Sequence, residues 1–90
     1  MVCINYNYYG LRRITKTNSE NIIFKDKTNL GMILNILIDK YGELFKFNLF
    51  APNTGRLKLI ILVNGVSEGD LNFNICDSDK INIVSPITGG

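Results

Sequence analysis

Residues 28–42 limit most tightly what this chain can become. Leu30, Ile33, Leu34, Leu37 and Tyr41 recur at helical spacing and draw one apolar stripe along a helix. Thr28 or Asn29 can cap its start, because either side chain accepts a hydrogen bond from a free backbone amide. Gly42 stands where a C-terminal cap is expected. A helix with one apolar stripe has to bury it against another element, and the rest of the chain reads mainly as strands. Met32, Ile36 and Ile38 lie off the centre of the stripe. They read as the margin of a wide stripe over a broad sheet. The alternative is a partner-binding face, since an apolar patch on a small domain usually has a partner.

Residues 2–9 form the first expected strand, with Val2, Ile4, Tyr6 and Tyr8 on one face. Gly10 breaks it. Residues 11–19 are polar and basic, with Leu11 and Ile14 spaced for a single helical turn. Residues 20–25 read as a second strand, with Ile22 and Phe24 inward and Ile23 on a side that also calls for cover. The ten or so residues between these strands make the hairpin loose. Residues 43–56 are the least regular part. Phe45, Phe47 and Phe50 read there as anchors for a long loop, and Pro52-Asn53-Thr54-Gly55 is a turn. Residues 57–63 are nearly all apolar, as in a strand covered on both faces or centrally placed. Asn64-Gly65 is a strong hairpin signal. Leu71, Phe73 and Ile75 alternate with Asn72 and Asn74, and Asp77-Ser78-Asp79 turns the chain into a last strand around Ile81 and Ile83.

The order is strand, strand, helix, strand, short strand, strand. It predicts one α+β domain over residues 1–90, a mixed sheet with one main helix packed on one face. With first and last strands as parallel neighbours in the middle, this is the β-grasp arrangement of ubiquitin.

Composition removes several kinds of chemistry. The hydrophobic share of 46% is that of a globular chain and argues against disorder. Histidine is absent, which takes away the usual general base and the commonest metal ligand. Net charge is only +2 and no polybasic run occurs, so neither nucleic acid nor an anionic membrane has a footprint. Arg12-Arg13, beside Tyr6, Tyr8 and Tyr9, reads as a solvated loop. Cys3 and Cys76 form no C-x-x-C pair, so no zinc or redox motif is signalled; two buried free thiols are expected, with a Cys3–Cys76 pair between neighbouring first and last strands as the alternative. No apolar run reaches membrane-spanning length. Residues 1–5 lack the basic segment and apolar core of a secretion signal, so a cytoplasmic protein with reduced thiols is expected.

What remains is the end of the chain. Ser85-Pro86 stops the last strand, because proline cannot donate to a ladder and holds its predecessor extended. Residues 85–90 are then expected to form a flexible tail. Ile87, Thr88, Gly89 and Gly90 follow the proline, and two glycines can lie in a channel where a Cβ would clash. Alone, such an end could simply be frayed.

Three segments in one order change that reading: Tyr8-Tyr9-Gly10-Leu11-Arg12, Ile61-Leu62-Val63-Asn64-Gly65, and Ile81-Asn82-Ile83-Val84-Ser85-Pro86-Ile87-Thr88-Gly89-Gly90. Together they resemble the MoaD/ThiS family of ubiquitin-like sulfur carriers, closest to its MoaD branch, the small subunit of molybdopterin synthase. The resemblance spans essentially the whole chain. It implies that an E1-like adenylyltransferase uses ATP to adenylate the Gly90 carboxylate, and that a sulfur source displaces AMP to leave a thiocarboxylate. The partner receiving the sulfur would be the large subunit of molybdopterin synthase or another acceptor. Gly90 would carry the sulfur, Gly89 would keep the tail slim, and Pro86, Ile87 and Thr88 would set its reach. The carrier itself would bind no cofactor or metal and would not be an enzyme alone. The chain departs from the family at Asp77-Ser78-Asp79-Lys80, where Asp-Gly-Asp-Glu is frequent, and at Met32, where an acid is frequent. Losing that glycine makes a positive φ costlier in the turn.

Other functions remain open on the same residues. The sulfur could go to thiamin, cysteine or a tRNA base. The activated carboxylate could instead join lysines, as in a protein modifier. An interaction module with an inert tail would be indifferent to loss of Gly89-Gly90.

Overall fold

The computed structural model describes residues 1–86. Strand β1 (Val2–Asn7) leads into helix α1 (Tyr9–Thr15), and β2 (Ser19–Ile22) returns antiparallel to β1. A two-residue strand, β3 (Thr28–Asn29), precedes α2 (Leu30–Tyr41), and α3 (Glu43–Leu49) follows at once. Strands β4 (Ile60–Val63) and β5 (Val66–Ser67) form a hairpin, and β6 (Asn74–Ile75) and β7 (Lys80–Val84) end the described chain. The main sheet runs β2-β1-β7-β4-β5, with β1 and β7 parallel and β7 in the middle; β3 and β6 pair separately. This is the expected β-grasp.

The helical stripe behaves as its spacing demands. Leu30, Ile33, Leu34 and Leu37 are buried against Val2, Ile4, Tyr6, Ile61, Ile81 and Ile83 from the sheet. Asn29 is the cap, its side-chain oxygen accepting from the Met32 amide at 2.9 Å. Gly42 closes the C-terminal end, its amide donating to the Ile38 carbonyl. Asn64 and Gly65 both take positive φ, 52° and 86°, the two-residue turn that matches the twist of a hairpin.

Several expectations need correction. Gly10 does not end in a loop; it lies inside α1, and a Cβ there would come within 2.6 Å of the Tyr8 ring. Arg12 and Arg13 are therefore helical rather than parts of a solvated loop. Strand β1 stops at Asn7, two residues early, and β2 stops at Ile22, leaving Ile23 uncovered at 80% exposure. Residues 43–49 are helix rather than loop, because Phe45 and Leu49, four apart, both reach the core. Phe45 is an anchor, whereas Phe47 is half exposed. The 57–63 strand starts only at Ile60. The alternation at 71–75 yields two strand residues, since the carbonyls of Leu71 and Phe73 accept instead from the Gly31 and Leu30 amides. Those are donors that a helix start leaves unpaired. Met32 and Ile36 are exposed, so the sheet does not cover the full width of the stripe. Cys76 is exposed and Cys3 only half-buried, and both are free.

Candidate functional site: the exit of the last strand

Strand β7 sits where a strand is hardest to displace. Val84 is opposite Asn7 of β1 on one side and Ile60 of β4 on the other; Ile83 is opposite Tyr6 and Ile61. Ile81 and Ile83 are fully buried beneath α2, while Asn82 and Val84 face the other side of the sheet. There Asn82 accepts a hydrogen bond from the Asn7 amide group at 2.9 Å. Val84, Ile60 and Leu62 form a half-buried apolar strip across β7 and β4 on this open face. The ladder ends at Val84, Ser85 is half-buried and Pro86 exposed. Of the residues proposed for the tail, Pro86 is thus at the exit, while Ile87, Thr88, Gly89 and Gly90 lie outside the described residues.

The base of β7 is fastened by a cluster that sequence reasoning did not pick out. The Asn64 side chain donates to Asp79 at 2.9 Å and accepts from the Lys80 amide at 2.9 Å. Asp79 also accepts from the Cys76 amide at 2.7 Å. One turn residue therefore shapes the β4–β5 hairpin and pins the start of β7. Asn-Gly signalled the turn; nothing local signalled the second role. Ser78, in the same turn, has φ 74°, where a side chain is costly. Ser78→Gly should therefore stabilise the fold by about 0.5–1 kcal/mol, the relief of a left-handed side chain outweighing the greater entropy of unfolded glycine. A denaturant midpoint at or below wild type would refute this.

The exit end of the sheet is fixed from the other side by α1. Its Arg12 donates to the Tyr6 carbonyl at 3.0 Å. Tyr6 itself is fully buried and donates its hydroxyl to Glu20 at 2.5 Å. Glu20 also accepts from the Tyr41 hydroxyl and from Lys40 at 2.6 Å. Burial pushes this carboxyl upward, but the bonds from Lys40, Tyr41 and Tyr6 outweigh it and hold it below its ordinary value. Tyr6 is pushed well up, first by burial and then by its bond to Glu20.

Among the described residues no group of three His, Cys, Asp or Glu side chains could hold a metal ion. None of the described helices is long and apolar enough to cross a membrane.

Residues 7–90 match the sequence profile of the ThiS family. The chain belongs to that family. Its members are ubiquitin-like sulfur carriers, small proteins that are not enzymes by themselves. The chain is similar in fold to CysO from Amycolatopsis orientalis, solved in complex with BexX (TM-score 0.78, 19% identity, 100% of each chain covered). It is also similar to a candidate molybdopterin converting factor subunit 1 from Pyrococcus furiosus (TM-score 0.73, 18% identity, 97% of this chain and 100% of that chain). A third similar structure is small archaeal modifier protein 1 from Methanosarcina acetivorans (TM-score 0.71, 27% identity, 99% of this chain and 95% of that one). Searched by sequence, the chain matches none of the curated proteins. For this ThiS-family chain, β7 is the strand that carries the segment ending in Gly-Gly, and its central place makes the sheet a rigid base for that segment.

Proposed function

We propose that this chain is the sulfur-carrying small subunit of a molybdopterin synthase. The observation that carries the reading is the family match, which runs through Gly90, together with a last described strand, β7, held on both sides by the sheet. The Pyrococcus furiosus structure, a candidate molybdopterin converting factor subunit, shares the fold and is compatible with this pathway. An E1-like adenylyltransferase brings ATP to the Gly90 carboxylate. A carboxylate oxygen attacks the α-phosphorus, pyrophosphate leaves, and an acyl adenylate forms. Sulfide then attacks the activated carbonyl and AMP leaves, so one carboxylate oxygen has become sulfur. The charged end next enters the large synthase subunit, where the sulfur is passed on. Gly89 keeps the segment slim, and Pro86, Ile87 and Thr88 set how far it reaches. The carrier needs no histidine, metal or bound cofactor, because its reactive group is its own terminus; the site of action is the cytoplasm.

A second reading is favoured by the 27% identity to small archaeal modifier protein 1. The same acyl adenylate, attacked by a lysine amine, gives an isopeptide bond. Intact mass after incubation with the adenylating enzyme, ATP and sulfide separates the two. The carrier gains the mass difference between sulfur and oxygen. Conjugates on lysines with no such gain would replace the carrier by the modifier, and an unchanged mass beside a second carrier charged by the same enzyme would leave neither.

A further inference from the structure

Charge is distributed unevenly along this chain, and the fold turns that into a pole. Residues 1–19 and 44–67 contain no acid, yet they carry Arg12, Arg13, Lys16, Lys46, Arg56 and Lys58, six of the ten basic residues. Parts of both acid-free segments lie where β7 ends. Helix α1 leaves the end of β1 beside Asn7, which is opposite Val84. Lys58 stands two residues before Ile60, which is opposite Val84 on the other flank. The Lys58 ammonium donates to the Phe47 carbonyl at 2.7 Å, bringing the Lys46 turn of α3 to the same place. Arg12, Arg13 and Lys16 line an open concavity with Tyr9, Thr17 and Asn18, and Arg13 lies 5.9 Å from the Tyr9 ring centroid. None of the six is ion-paired among the described residues. The acids lie elsewhere. Asp77 and Asp79 flank the start of β7, Asp26 follows β2, and Glu20 is paired with Lys40. Glu68 and Asp70 follow β5 at the far edge. Asp39 and Glu43 flank the α2–α3 junction, Glu43 at the other end of α3 from the Lys58 contact.

We infer that the protein accepting the C-terminal segment surrounds its entrance with acidic side chains, and that Arg12, Arg13, Lys16, Lys46, Arg56 and Lys58 dock on that rim. The inference rests on the carrier reading for its direction, since the rim encircles the strand that leads to Gly90. Unpaired cations around one exit raise the local potential, steer an acidic surface toward it and set the approach, while adding little to a surface lacking opposite charge. Such a contact is screened by salt, since all of these side chains but the half-buried Arg12 are exposed.

The test uses the whole chain labelled with nitrogen-15 and titrated with a short oligoglutamate peptide. At low salt the expected amide shifts fall in α1, Lys16–Asn18 and the Lys46 to Lys58 region, and they fade in about 0.5 M salt, where the screening length falls to a few ångströms. Arg13→Glu with Lys16→Glu should weaken binding at least about tenfold, and Lys25→Glu with Lys27→Glu, the same charge change at the far end, less than about twofold. Should the glutamate pair disturb the spectrum, Arg13→Ala with Lys16→Ala serves instead, with a smaller loss in the same direction. Equal losses from the two pairs, shifts spread over the whole surface, or no binding would overturn the rim. Tighter binding of a single-stranded oligonucleotide at the same residues would overturn the acidic-protein assignment. No adenylating enzyme takes part, so a chain that binds oligoglutamate at the rim yet never gains sulfur sinks the carrier role and not the rim.

Discussion

Deleting Gly90 abolishes sulfur loading and leaves the melting temperature where it was: that is the largest effect expected of any change to this chain. Among the described residues the last fully buried one is Ile83, and deleting Gly90 removes no residue of the described core. The reacting carboxylate, however, is drawn back by the length of one extended residue, about 3.5 Å. Acyl transfer needs reacting atoms within about 3–3.5 Å, and a misplacement of about 1 Å alone can cost roughly 100-fold. Loading should therefore fall by more than about 100-fold. Gly90→Ala keeps the length but adds a Cβ next to the reacting carbonyl, and should also be charged poorly with an unchanged melt. Intact mass and thermal denaturation of the same samples read the two halves separately. Wild-type loading of the shortened chain would remove Gly90 from the chemistry. A lowered melting temperature would mean that the end of the chain contributes to the fold after all.

Glu20→Ala is expected to have the largest effect on stability among the polar positions. One carboxylate on β2 receives the hydroxyls of Tyr6 and Tyr41 and the Lys40 ammonium. The rings above it form a packed trio. Tyr41 stacks on Phe45 at 5.3 Å, and Tyr6 meets both edge-on at 6.5 and 6.2 Å. Removing the carboxylate leaves the hydroxyl of the fully buried Tyr6 without this acceptor, at a cost of about 2–3 kcal/mol. Glu20→Gln keeps an acceptor without charge and should cost about 1 kcal/mol. The pH dependence has a definite sign. The folded carboxyl titrates below its ordinary value of 4.5, so its contribution is fully present above that value and is lost as pH falls through the lower folded one. The stability gap between wild type and Glu20→Gln should therefore narrow in acid. On the alkaline side Tyr6 resists ionisation in the fold, so stability should decline once the unfolded phenol begins to ionise above its ordinary 10.0. Urea denaturation across pH measures both limbs. A gap that is constant from neutral to acid pH would show that Glu20 does not act as a carboxylate acceptor.

Much of the architecture was legible where the signal is local and periodic. The stripe from Leu30 to Leu37, the Asn29 cap, the Asn64-Gly65 turn and the alternation of Ile81 and Ile83 each need only a few adjacent residues to be read. They turned out in place. Misreadings gathered where a residue's conformation is chosen by something distant. Gly10 looked like a break, yet α1 runs through it because Leu11 and Thr15, four apart on one helical face, are both buried. Phe45 looked like a loop anchor, and the partner that made its segment a helix was Leu49 together with the Tyr6 and Tyr41 rings. Leu71 and Phe73 alternated like a strand, but their carbonyls were needed at the start of α2.

The sequence by itself determined the grasp of sheet and helix and the Gly-Gly ending on a proline-stopped strand. Helical period, strand alternation and proline's missing donor are properties of a residue and its neighbours. Only the tertiary structure decided that Glu20 gathers two tyrosines and a lysine from elements up to 21 positions away. It alone pinned β7 through Asn64 and set α1, with Arg12, Arg13 and Lys16, and Lys58 on the two flanks of one exit. A chain with net charge +2 and no basic run reads as electrically bland. Parallel pairing of β1 with β7 and antiparallel pairing of β4 with β7, which no local pattern encodes, bring parts of two acid-free segments to one end and make it a pole.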